Sequence, residues 1–156
     1  MKTSVFFLIL LVSSVLGASS SGSIFGGTVA EFKKQIVSSK QAYVVEFYSE
    51  MCGTCQDFAP TWNKLSASLS AKYNFVKIQV DTDNGRALAE LTGAFEDGIP
   101  SVKVYDTLGE VQGSATIVKG DPVPLGTLER ILKKKASALM RDTDGRLLKR
   151  IPHEEM

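Results

Sequence analysis

The sequence predicts an α/β fold in which a central mixed β-sheet carries helices on both faces. Strand-like apolar runs alternate with segments of helical periodicity through the first two thirds of the chain. Two strand-like runs between 101 and 118 then follow one another with only a turn between them, and an amphipathic helix comes last. Strand–helix–strand order implies parallel crossovers and a direct strand-to-strand turn implies an antiparallel hairpin, so the sheet has to be mixed.

Taken in order, Ile24 and Phe25 offer a short edge strand. Thr28-Val29-Ala30-Glu31 fits a capping box, with Thr28 as N-cap and Glu31 at the third helical position. Phe32, Ile36 and Val37 share an apolar face, which predicts a helix over 28–39. Residues 42–48 are β-branched, aromatic and almost continuously apolar, as a strand covered on both faces should be. Phe58, Trp62, Leu65 and Leu69 recur at helical spacing up to about Lys72. Residues 75–80 read as a strand and 84–91 as a short helix that Gly93 can end. Residues 101–105 and 111–118 read as a hairpin turning near 106–110. The last helix begins near Thr127, with Leu128, Ile131, Leu132 and Leu139 on its buried face and Lys133, Lys134 and Lys135 on its solvated one.

The 156 residues divide into three expected segments. Lys2, the apolar run from Val5 to Val12 and the small residues ending at Gly17 and Ala18 have the three parts of a secretory signal peptide, here 1–18, cleaved after Gly17 or Ala18. The apolar run is shorter than the roughly 20 residues that span a bilayer, so an uncleaved anchor is the weaker alternative. One domain is expected over 19–140 and a charged, loosely ordered tail over 141–156. Hydrophobic residues at 44% and charged residues at 22% suit a water-soluble domain. With 18 basic residues against 17 acidic ones, no summed field draws the chain to nucleic acid or anionic lipid.

Cys52 and Cys55 are the two cysteines, three residues apart where the strand over 42–48 gives way to a helix. Unpaired N–H groups and the dipole at a helix N-terminus stabilise a thiolate, so the first and more exposed cysteine, Cys52, is the expected nucleophile. Cys55, one turn further in, is placed to attack a mixed disulfide and release the partner. An inert disulfide is the plain alternative, although so small a loop restrains the unfolded chain little. Zinc is disfavoured, because a structural site needs four ligands and the one histidine, His153, lies in the tail.

The segment 44–55, Val-Val-Glu-Phe-Tyr-Ser-Glu-Met-Cys-Gly-Thr-Cys, resembles the active-site segment of the thioredoxin and protein disulfide isomerase family. Phe58-Ala59-Pro60-Thr61-Trp62 and Gly98-Ile99-Pro100-Ser101 are similar to two further family stretches, so the resemblance covers roughly 22–135. It implies a thioredoxin fold and thiol–disulfide exchange with cysteine-containing client proteins, with a redox partner or glutathione completing the cycle and no metal or organic cofactor. It also implies that Pro100 is a cis-proline facing the dithiol and that Met51, Gly53, Thr54, Ile99 and Pro100 border the client. Glu46 matches the family's buried acid, implied to move a proton from the resolving thiol, and Lys77 matches its basic partner. A structural ion pair or a solvent-facing position is the alternative for Glu46.

Three departures from the family pattern matter. Met51 stands where tryptophan is usual, which alters the client surface. Thr54 is neither the proline of thioredoxins nor the histidine of the isomerases, and losing an imidazolium predicts a weaker oxidant than a typical isomerase domain. The chain end, Pro152 to Met156, is not a standard retention signal, which leaves the endoplasmic reticulum lumen and secretion both open. The expected function is a monomeric oxidoreductase or isomerase-like protein of the secretory pathway, off the membrane after cleavage. The other reading is a thioredoxin-fold binding or chaperone-like module with a mainly structural disulfide.

Overall fold

The computed structural model describes residues 22–152, so the signal-peptide reading and His153 lie outside the described residues. The strands are β1 (Ser23–Ile24), β2 (Tyr43–Tyr48), β3 (Asn74–Gln79), β4 (Ser101–Tyr105) and β5 (Ala115–Lys119). The helices are α1 (Val29–Phe32), α2 (Gly53–Leu69), α3 (Asp83–Thr92), α4 (Ala94–Asp97) and α5 (Leu125–Ala136). The sheet runs β1-β3-β2-β4-β5, with β1, β3 and β2 parallel and β4 and β5 successively antiparallel, which is the mixed sheet predicted.

Alternation along β2 builds two cores from one strand. Val44 joins Phe75, Val102 and Val104 against Phe58, Trp62 and Leu65 of α2 and Leu128 and Leu132 of α5. Val45 and Phe47 face the other way, to Phe32, Ile36, Val76, Ile78 and Leu88. Because both faces of β2 are covered, its sequence reads as one apolar run. The exception is Glu46, which shares the Val44 face and so lies on the side that α2 covers.

Most elements hold within a few residues, and the differences have local causes. The Thr28–Glu31 capping box forms, but the helix widens to a π-helical stretch at Lys33–Val37. Gly93 ends α3 in the left-handed conformation, φ 71°, as expected. α4 was not expected, since one turn is too short to show a period. β5 begins at Ala115 rather than Val111, because Gly113 (φ +78°) turns the chain and Tyr105 Oη donates to the Val111 carbonyl at 3.2 Å. Residues 106–114 therefore form the connection between β4 and β5, with Val111 packed on the second core. α5 starts at Leu125 and stops at Ala136, yet Leu139 still packs on the first core. Lys135 is not part of a solvated face, because its Nζ lies 3.1 Å from Asp106 Oδ2.

The expectation of a loosely ordered tail fails for 141–150. Leu147 is fully buried in the first core, and Leu147 N–H and Lys149 N–H donate to Lys72 and Lys40 carbonyls at 3.0 and 2.7 Å. Lys149 Nζ donates to the carbonyls of Ile36 and Val37, the last turn of the first helix, and Arg150 reaches Asp106 at 3.2 Å. Charged residues that composition assigns to solvent are here the ligands of buried acceptors.

Candidate active site

β2 ends at Tyr48 and α2 begins at Gly53, so Cys52 occupies the N-cap position with extended backbone. Its Sγ accepts the Cys55 N–H at 3.1 Å, the bond that a capping oxygen normally takes. Cys52 and Cys55 are disulfide-bonded, with Cα atoms 5.2 Å apart. Cys52 is partly exposed, whereas Cys55 is 4% exposed. Cys52 is thus the more exposed of the two cysteines.

The turn before Cys52 is fastened by residues that the sequence reading did not single out. Ser49 Oγ donates to Asp81 Oδ1 at 2.7 Å, and the Glu50 N–H donates to Asp81 Oδ2 at 3.1 Å. Met51 N–H donates to Ser49 Oγ at 3.1 Å, and Gln56 Nε2 to the Glu50 carbonyl at 2.7 Å. β2 and β3 are parallel neighbours, so their C-terminal ends bring Ser49 and Asp81 together at the edge where α/β sites form. A polar residue just past each of two strand ends was the available signal.

Across from the cysteines, the Ile99–Pro100 peptide is cis, as the resemblance implied. Pro100 is buried, Ile99 partly exposed, and the Ile99 carbonyl oxygen lies 3.8 Å from Cys52 Sγ. Thr54 Oγ1 stands 3.1 Å from Cys52 Sγ and 3.5 Å from that carbonyl. A disulfide sulfur has no proton, so the hydroxyl is the donor, with one hydrogen facing two acceptors. The loop is tied behind: Gly120 N–H donates to the Pro100 carbonyl at 3.0 Å, and a Cβ on Gly98 (φ +82°) would stand 3.3 Å from Gly120 Cα. Asp97 holds Lys103, Thr116 and Lys119 beside it. Met51, at 86% exposure, and the exposed Gly53 and Thr54 flank Cys52 in sequence, and the half-buried Ile99 precedes the buried Pro100.

Glu46 is 1% exposed and pairs in register with Lys77 of β3. Lys77 Nζ lies 3.4 Å from Glu46 Oε2 and 4.1 Å from the centre of the Tyr48 ring, yet Oε2 takes no hydrogen bond among the described residues. Burial pushes the Glu46 carboxyl up to about 7, with the Lys77 charge pulling only partly the other way. An acid with that value exchanges protons near neutrality. Among the described residues no group of three or more His, Cys, Asp or Glu could hold a metal ion, and no helix is long and apolar enough to cross a membrane.

A mixed five-strand sheet with a cysteine pair at a helix N-terminus, opposite a cis-proline loop, defines a dithiol-bearing domain of the thioredoxin fold. The chain belongs to the thioredoxin family, whose model (Thioredoxin) matches residues 24–119. It is similar to protein disulfide-isomerase A6 of Mesocricetus auratus, 28% identical over 124 residues, covering 76% of this chain and 27% of the relative. It is 32% identical over 88 residues to protein disulfide-isomerase A6 of Homo sapiens, covering 56% of this chain and 19% of that one. The protein disulfide-isomerase A6 homolog of Drosophila melanogaster is 28% identical over 141 residues, covering 85% and 31%. The chain therefore spans less than a third of these relatives. The solved J-Trx1 fragment of ERdj5 shares the fold at TM-score 0.59 and 19% identity, covering 76% of this chain and 51% of that one.

Proposed function

We propose that this chain is a protein thiol–disulfide oxidoreductase of the disulfide-isomerase kind, acting on cysteine-containing proteins of the secretory pathway. The observation that carries the reading is the convergence on one partly exposed sulfur: Cys52 Sγ meets the Cys55 N–H and the Thr54 hydroxyl, each at 3.1 Å, with its partner sulfur buried behind it. Two neutral donors and the helix N-terminus stabilise a thiolate there.

In the reducing direction the Cys52 thiolate attacks a client disulfide, forming the mixed disulfide and expelling one client sulfur as thiolate. Cys55 then loses its proton, attacks Cys52 Sγ and releases the second client sulfur, leaving the Cys52–Cys55 disulfide. The oxidising direction is the reverse. Glu46, on the face of β2 that α2 covers, is the proposed acceptor of the Cys55 proton, and Lys77 holds its value near neutrality rather than higher. Met51, Gly53, Thr54, Ile99 and Pro100 form the client-facing rim. The relatives named protein disulfide-isomerase and the leader-like first 18 residues support a place in the secretory pathway.

The test is catalysed reduction of a disulfide-bonded protein by a dithiol, with Cys52→Ser and Cys55→Ser beside the parent chain. The parent should turn over, Cys52→Ser should be inactive, and Cys55→Ser should trap a mixed disulfide with the client. A parent chain that holds clients without exchanging thiols would establish the binding-module reading instead.

A further inference from the structure

The residue preceding the nucleophile is a methionine, and at 86% it is the most exposed large apolar side chain among the described residues. Its backbone does not share that freedom. Met51 N–H is held by Ser49 Oγ, Glu50 N–H by Asp81, and the Glu50 carbonyl by Gln56. A flexible thioether therefore projects from a fixed turn at the lip of the dithiol, where no core contact requires it and an incoming client must meet it. In the disulfide state neither cysteine presents a thiolate, so the exposed thioethers are the side chains a peroxide attacks first.

We propose that Met51 is a peroxide-sensitive modification site whose oxidation slows exchange with protein clients; this rests on reading the dithiol as the client-exchanging site. The Met51 sulfur attacks one oxygen of hydrogen peroxide or another hydroperoxide, the S–O bond forms and the O–O bond breaks. The sulfur loses two electrons, the peroxide gains them, and water or an alcohol leaves. The sulfoxide is polar and chiral, so the rim beside Cys52 loses its apolar contact. Glutathione, too small to depend on that contact, reacts as before. Met140, 77% exposed, is the internal control. Its carbonyl accepts the Leu148 N–H, and Leu148 bridges to Gln41, which precedes the first residue of β2, whereas Cys52 follows the last, so Met140 belongs to the other end of that strand from the rim.

The experiment treats the disulfide form of the chain with hydrogen peroxide, removes the peroxide with catalase, and maps added oxygen by peptide mass spectrometry. Reduction of the Cys52–Cys55 bond is then timed separately with a reduced, unfolded protein and with glutathione. Met51 and Met140 should both gain oxygen. The rate with protein should fall roughly fourfold, the effect of one lost buried methylene, while the glutathione rate holds. Each variant is compared with its own untreated rate: Met51→Leu should show no fall, Met140→Leu the full fall, and methionine sulfoxide reductase should restore the parent. An unchanged protein rate with Met51 oxidised, an equal fall with glutathione, or the same fall in Met51→Leu overturns the inference. An untreated chain that exchanges with neither thiol overturns the reading beneath it, a distinguishable failure.

Discussion

Two carboxylates, Glu46 and Asp106, are each 1% exposed, and the chain treats them in opposite ways. Burial works to raise the Asp106 carboxyl, but hydrogen bonds from Ser114 and Lys135 and the charges of Lys135 and Arg150 more than offset it, leaving it below the usual range. Glu46 has one cation at 3.4 Å and an oxygen without a hydrogen bond, so burial prevails and the group rises to about 7. Equal surface exposure thus goes with a carboxyl below the usual range at one place and one raised to about 7 at the other. The difference lies in the deeper desolvation of Glu46 and in the greater number of donors supplied to Asp106, and Glu46 lies under the helix that carries the dithiol.

The largest way to break the comparison is to remove Asp106. Asp106→Ala should cost about 3 kcal/mol in denaturant unfolding at pH 7, discounted for the partial exposure of Lys135 and Arg150, because Ser114 and both cations lose their acceptor. Its pKa is depressed on folding, so that stability is present above the ordinary value of 3.8 and lost as the pH falls through the folded-state value. The cost of Asp106→Ala should therefore shrink in acid.

Glu46→Gln should act with the opposite sign. A carboxyl raised from 4.5 to about 7 binds its proton more tightly when folded, so the parent should lose up to about 3 kcal/mol of stability as the pH rises from 4.5 to 7. Urea midpoints of Glu46→Gln across that range should be flatter than the parent's. Its exchange rate at pH 7 should fall by about tenfold or more if the carboxylate takes the Cys55 proton, and a structural ion pair would leave the rate alone.

The smallest effect sharpens the nucleophile. Thr54→Val removes one neutral donor from Cys52 and should raise its thiol pKa by about one pH unit or less, read from the pH dependence of alkylation in the reduced chain. Thr54→Ser should keep the parent value. The sequence reading took Thr54 as the loss of a histidine charge, and the structure adds a hydroxyl donor in its place.

Local periodicity made most of the fold legible: the mixed sheet, the double-faced β2 and the Thr28–Glu31 box all follow from residues a few positions apart. The cysteine pair was legible for the same reason. Pro100 as a cis-proline came only from family resemblance, since no local pattern marks a cis bond. The Ser49–Asp81 anchor joins residues 32 positions apart, and Lys149 reaches Ile36 across 113. Such polar partners are chosen by tertiary placement, and a lysine bound to buried carbonyls reads in sequence like any solvated lysine. Its burial lowers it to about 8, a consequence invisible before the strap over 141–150 is seen to fold back.

The most direct test of the central claim, a redox-active rather than structural disulfide, is the reduction potential of the Cys52–Cys55 pair at equilibrium with glutathione buffers. A reversible couple between about −270 and −120 mV, nearer the reducing end for want of a histidine, is the expected result. A bond that stays oxidised well below about −300 mV would contradict it and make the dithiol a structural staple.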